Sequence, residues 1–328
     1  MNRVWGLAGI FILLTMFMLG CGASEKNKQE ANQPATKEEQ IWPRTYVDAL
    51  GHEVVLDKQP QKIVTLMHVL FPDILLALGS EPSGVAGADA MFNQWEAYQS
   101  YTQGKEIVDI GEYDSPNLEK ILELEPDLII AASEYHADAY NQLKAIAPVV
   151  YLGYMETGGD RNLGIREVAK ILGKETEGEA VIANLDHKIA EARKKLQDLV
   201  GADETVIFCT ANSDGNFWLY NKNITPTNQE TGLGLKVPEP YPDGEDLVGL
   251  EGMTVLNPDY LFIFVDKSSD TTSETMVKEQ LKGPVWDSIN AVKNDRVFIV
   301  DRSWFAREAP VATDYGIDAI VDIFSKAN

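Results

Sequence analysis

The sequence predicts an α/β fold made of two similar lobes, each with a mainly parallel central sheet, joined by a single long helix. Three observations predict it. Short apolar runs that read as strands alternate with helical patterns, from Ile63–Leu66 through Leu128–Ala131 to Val149–Leu152. The passage Leu118–Ile130 returns in layout as Leu250–Phe262, each copy a short helix whose Pro-Asp end leads straight into an apolar strand. Between the copies, Gly178–Val200 sets Val181, Leu185, Ile189, Ala192, Leu196 and Leu199 at the spacing of one helical face. A helix of that length spans about 33 Å, enough to pass from one lobe to the other. A helix packed within one domain is the plainer alternative.

The chain has 328 residues, room for about two domains of ordinary size. It begins with Arg3 and the apolar stretch Val4–Leu19, which reads as a secretory h-region, with a membrane helix as the alternative. Met18-Leu19-Gly20-Cys21 resembles the lipobox of bacterial lipoproteins, a resemblance that implies cleavage before Cys21 and lipidation of its sulfur. Ala23–Gln40 holds no aromatic or large aliphatic side chain, so it cannot offset its ordering entropy and reads as a solvated tether. Residues 1–20 are therefore expected to be a signal peptide and 21–43 a lipidated cysteine and tether. Residues 44–177 should form the N-terminal lobe, 178–200 the connecting helix and 201–328 the C-terminal lobe.

Within the first lobe, Thr45–Asp57 reads as a hairpin turning at Gly51, followed by the strand Ile63–Leu66 and a helix through Asp73 that Gly79 ends. A further short strand is expected around Gly84–Gly87. In the second lobe, Cys209 lies in the apolar run Thr205–Cys209 and reads as core filling rather than as a nucleophile.

Composition excludes several functions. A formal net charge of -23 repels polyphosphate backbones and argues against a nucleic-acid partner. Two cysteines cannot make a disulfide scaffold, and four histidines are too few for a His-rich metal site. GxSxG, P-loop, CxxC and HExxH patterns are lacking, so no enzyme is expected. Gly232-Leu233-Gly234 has no phosphate-cradling context and reads as a loop glycine pair.

Lys62–Leu66 followed by Asp73–Gly79, Pro116–Glu119, Glu251–Asp259 and the long helix together resemble the substrate-binding lipoproteins of bacterial iron-siderophore and vitamin B12 ABC importers. The resemblance covers the chain from about Thr45 onward. It implies two lobes with a ligand cleft between them, modest closure, a transmembrane permease and, through it, a cytoplasmic ATPase. It places a monomeric body outside the cytoplasm, held at the cell membrane by lipidated Cys21. It further implies that Glu119 and Glu251, equivalent in the repeat, pair with arginines of the permease, two charges at fixed separation setting register.

The implied ligand is a ferric siderophore, leaning toward a hydroxamate or mixed hydroxamate-carboxylate, with cobalamin or haem as alternatives on the same fold. The protein itself would carry no cofactor. Residues on loops after strands are the candidates. His68, Trp95 and Tyr113 come from the first lobe; Trp218, Tyr220, Trp304 and Arg307 come from the second. Rigid aromatics suit the apolar linkers of such chelates and arginine suits their oxygens. Tyr135-His136 and Tyr154 lie in neighbouring loops. Trp286 reads as a buried anchor, and Arg166 as a capping or bridging residue within its own helix. Direct metal binding would have only His68 and His136 to draw on, since His52 reads as hairpin surface and His187 lies on the connector.

Overall fold

The computed structural model describes residues 42–101, 106–212, 214–265, 275, 277, 279 and 281–327. The expected signal peptide, nearly all of the tether and Cys21 lie outside the described residues. The chain enters through a hairpin, β1 (Arg44–Val47) against β2 (Glu53–Leu56), with Gly51 at φ +82° supplying the turn.

The first-lobe sheet runs β5 (Val108–Asp109), β4 (Pro82–Val85), β3 (Ile63–Thr65), β8 (Leu128–Ala132) and β9 (Val149–Leu152), all parallel. Both faces are buried, as near-continuous apolar strands require. Leu128, Ile130 and Ala132 pack into one core layer, and Ile129 and Ala131 into the layer on the opposite face. A small hairpin, β6 (Gly111–Glu112) and β7 (Ser115–Pro116), projects from the end of β5 and carries Tyr113 at its tip.

In the second lobe β10 (Val206–Ala211), β13 (Tyr260–Val265) and β14 (Val297–Asp301) are parallel, but β11 (Phe217–Leu219) and β12 (Asp246–Val248) run antiparallel at one side. The lobes thus differ at one point. Between β3 and β4 a helix, Leu70–Ala77, makes the crossover that parallel pairing needs. The few described residues between β10 and β11 hold no such helix, and β11 pairs antiparallel with β10.

The repeated passage is a repeat in three dimensions. The helices Leu118–Glu123 and Leu250–Leu256 each bury one equivalent residue completely, Ile121 and Met253. Each then turns through a left-handed residue, Glu125 at φ 47° and Asn257 at φ 42°, before the proline. Asp127 accepts the backbone N–H groups of Gln61 and Lys62 ahead of β3, and Asp259 accepts that of Thr205 ahead of β10. One carboxylate per lobe therefore fixes the start of its central strand.

The connector is a helix at Glu175–Leu199, beginning three residues before the expected Gly178. Gly178 is no boundary: a Cβ there would stand 2.8 Å from the Ala169 Cβ, so its bareness lets the connector cross the helix Arg161–Leu172 closely. The buried face is Ile182, Leu185, Ile189, Ala192 and Leu196, with the expected Val181 and Leu199 packed partly buried against the two cores. Arg166 bridges to Glu179 on the connector at 2.7 and 3.1 Å, not within its own helix as expected.

A second element spans the lobes. The C-terminal helix, Pro310–Ala327, buries Val311 and Ala312 against first-lobe residues such as Leu76 and Phe92, and Ile317, Ile320 and Phe324 in the second-lobe core. Its first turn is capped from the other lobe. Fully buried Asp73 accepts the N–H groups of Val311 at 2.8 Å and Ala312 at 2.9 Å, and the Tyr98 hydroxyl at 2.8 Å. Two bridging helices and this cap hold the lobes in a set relation.

Candidate functional site

The ends of the central strands in both lobes open onto one cavity of about 570 Å³. Its first-lobe wall begins where β3 ends. Val69 sits at φ 67°, ψ −83°, and the Leu70 N–H donates to the His68 carbonyl at 3.0 Å, a three-residue turn that a β-branched side chain adopts only under strain. The turn presents His68, whose ring lies 5.9 Å from Tyr113 and 6.5 Å from Trp95. Tyr135 meets Tyr113 edge to face at 5.5 Å and Tyr154 at 6.1 Å, continuing the wall. His136 stands behind it: Nε2 contacts the Tyr113 carbonyl at 2.6 Å and Nδ1 the Ala132 backbone, so both ring nitrogens are spent on holding loops. Glu134 accepts the N–H groups of Tyr154 and Met155 and fixes the start of their helix.

The second-lobe wall is the loop after β14 together with β11. Arg302, Trp304, Phe305, Ala306 and Arg307 line the cavity from the loop, and Trp218, Tyr220 and Phe264 from the sheet. Phe305, Arg307 and Glu308 all have left-handed backbone, at φ 56°, 55° and 54°. Glu308 pins this turn by accepting the Thr225 N–H and hydroxyl. Burial pushes the Glu308 carboxyl above its ordinary range, against those hydrogen bonds. Strain held by a part-buried anchor at a cleft is how a loop is kept in one presentation.

Across the cavity the Arg307 guanidinium lies over the Tyr154 ring at 5.1 Å and Arg302 over Trp95 at 5.7 Å. Burial, and then the charges of Arg302 and Arg307, hold His68 below its ordinary value, so the imidazole is neutral at pH 7. Burial also raises the Tyr154 hydroxyl, partly offset by Arg307. The wall thus offers neutral aromatics from one lobe and two cations from the other.

All seven residues singled out in the sequence, His68, Trp95, Tyr113, Trp218, Tyr220, Trp304 and Arg307, line this one cavity. They differ in how free they are. Trp304 is largely buried and its Nε1–H donates to Glu96 of the first lobe at 3.3 Å, so it serves as an interlobe anchor as well as lining. Trp95 is 6% exposed and its Nε1–H has no acceptor among the described residues. Sequence reasoning missed Arg302, Glu245 and Phe264. Arg302 follows β14 directly, and that position was its only signal. Trp286 is buried and stacks on Phe217, away from the cavity.

A second groove, about 580 Å³, follows the connector on the other side of Glu308. Its arginines are already committed, Arg161 to Asp186 and Arg193 to the carbonyls of Gly232 and Asn228. It offers a ligand little that is not spent. Glu119 and Glu251 are both exposed, each in the first turn of its equivalent helix. Cys209 is buried, and burial raises its thiol far above the reactive range.

Residues 72–303, most of both lobes, match the sequence profile of the family described as "Periplasmic binding protein". The chain belongs to that family. Members are substrate-binding transport proteins rather than enzymes. The chain is 28% identical over 332 residues to the iron(3+)-hydroxamate-binding protein YxeB of Bacillus subtilis, covering 98% of this chain and 96% of that one. It is 29% identical over 313 residues to the Fe(3+)-citrate-binding protein YfmC of the same organism, covering 93% and 92%. Among solved structures, the FhuD fold-family protein BSU3320 of B. subtilis superposes with a TM-score of 0.70 at 24% identity, covering 86% of this chain and all of that one. Staphylococcus aureus SirA, solved with staphyloferrin B, gives 0.64 at 22% identity, covering 87% and 98%. These structures share the two-lobed fold with its long connecting helix.

Proposed function

We propose that this chain is the extracytoplasmic substrate-binding lipoprotein of an ABC importer. It is anchored through Cys21, captures a ferric siderophore in the interlobe cavity and delivers it to a membrane permease coupled to a cytoplasmic ATPase. The observation that carries the reading is the cavity itself, where a neutral aromatic wall faces Arg302 and Arg307 across two lobes of this family's fold. A volume of about 570 Å³ is within the range of small-molecule sites. Relatives named for iron(3+)-hydroxamate and Fe(3+)-citrate support the ligand class.

Within that class the ligand is a hydroxamate or mixed hydroxamate-carboxylate chelate. Two arginines in a mainly aromatic cavity match a chelate of low negative charge, whereas a catecholate would call for a more basic pocket. The residues that hold it are His68, Trp95, Tyr113, Trp218, Tyr220, Trp304 and Arg307, now with Arg302. Glu119 and Glu251 meet the permease. Tryptophan fluorescence titration with ferric hydroxamate, carboxylate and catecholate chelates, cobalamin and haem tests the reading. Saturable quenching by the hydroxamate chelate is expected, and silence toward every ligand would overturn the reading.

A further inference from the structure

The cavity's second-lobe wall has a feature that ferric oxygen chelation does not use. β11 alternates buried Phe217, exposed Trp218 and buried Leu219, so Trp218 points away from the lobe core. Trp218 pairs with Leu247 of β12, and Glu245 is the residue just before that strand. The Trp218 Nε1–H donates to Glu245 Oε2 at 3.3 Å, which fixes the carboxylate at the edge of the indole while both line the cavity.

Glu245 has no cationic partner among the described residues. Nearby Lys222 is taken by Asp243 at 3.1 Å. Glu308, the other carboxylate lining the cavity, is filled by Thr225. Arg302 and Arg307 belong to the other element of this wall, the loop after β14. The cavity thus offers cations from one element and a carboxylate beside a tryptophan face from another.

Resting on the reading of this cavity as a ferric-chelate site, we infer that Trp218 and Glu245 form a cation subsite that takes a protonated primary amine pendant from the bound chelate. An ammonium there is attracted by the indole face and by the carboxylate. The ligand class narrows to linear hydroxamate chelates bearing a free terminal amine, their chelating oxygens toward Arg302 and Arg307.

The test is calorimetric titration of the full-length protein in detergent at pH 7 with a linear ferric trihydroxamate bearing a terminal amine and with its N-acetylated form. The amine form should bind about three- to tenfold more tightly, the range expected of an exposed cation–π and ion pair. Glu245→Gln and Trp218→Leu should each shrink the ratio between the two affinities toward one, and rising salt should weaken the preference. Equal affinity for the two chelates, or a preference that survives Glu245→Gln, overturns the subsite and leaves the chelate reading standing. Binding of neither chelate overturns the hydroxamate reading and the subsite with it.

Discussion

Replacing Asp73 should unfasten the two lobes from each other. Its buried carboxylate receives two backbone N–H groups from the first turn of the C-terminal helix and the Tyr98 hydroxyl. A hydrogen bond to a charged group contributes about 1.5–3 kcal/mol, and a lost helix cap costs about 1 kcal/mol. Asp73→Ala strands all three donors in the interior and should cost about 3–5 kcal/mol. Asp73→Asn keeps the shape and one acceptor oxygen, and should cost about 1–2 kcal/mol at about pH 4, where the wild-type carboxyl is still protonated in the folded protein.

Burial pushes Asp73 from its ordinary 3.8 up to about 7, against the pull of the Val311, Ala312 and Tyr98 hydrogen bonds, with Asp314 adding to the rise. The folded protein therefore holds this proton more tightly than the unfolded chain. The cost of ionising it is absent below the unfolded value, grows between about 4 and 7, and is complete above that. Wild-type stability should fall by a few kcal/mol as pH rises through this window, at about 1.4 kcal/mol per pH unit at most, and the asparagine variant should lack that slope. Urea denaturation followed by circular dichroism across the window measures both effects. A loss under about 1 kcal/mol in the alanine variant, or the same pH slope in wild type and Asp73→Asn, would refute the latch.

Two further predictions concern the cavity and the docking surface. Chelate oxygens seated on Arg302 and Arg307 screen the two charges that, after burial, hold His68 below its ordinary 6.5, so binding should take up a proton and affinity should rise as pH falls toward that depressed value. Titrations at neutral and mildly acidic pH should show this in wild type and lose it in His68→Gln; an unchanged pH dependence in the variant would count against it. The double variant Glu119→Lys, Glu251→Lys should bind chelate as wild type does yet cut cellular iron uptake by about tenfold or more, since charge reversal sets repulsion against a permease cation at both docking points. Unchanged uptake would remove the docking role.

The repeat was legible in the sequence because each copy needs the same residue types for the same reasons. A buried aliphatic, a left-handed turn residue, a proline and a carboxylate recur in order, and each has a local task. The cavity aromatics were legible because loops following strands gather at one edge of each sheet. Other features depend on partners far along the chain. Asp73 looks like an ordinary helical residue, and the donors it caps lie 238 and 239 positions away. Gly178 resembled a helix boundary because its close approach to Ala169 is invisible in a linear pattern. The antiparallel β11 turned on a missing crossover helix, and Glu245 on a side-chain contact 27 positions away, neither of which a run of residues displays.

The most direct test of the central claim is to incubate the purified protein with a doubly labelled ferric hydroxamate chelate, separate it by gel filtration, and measure iron and chelator in the protein peak independently. Capture of an intact chelate predicts iron and chelator retained together in equal amounts, one of each per protein, with both reduced by Arg307→Ala. Iron retained without its chelator, or neither retained, would contradict it.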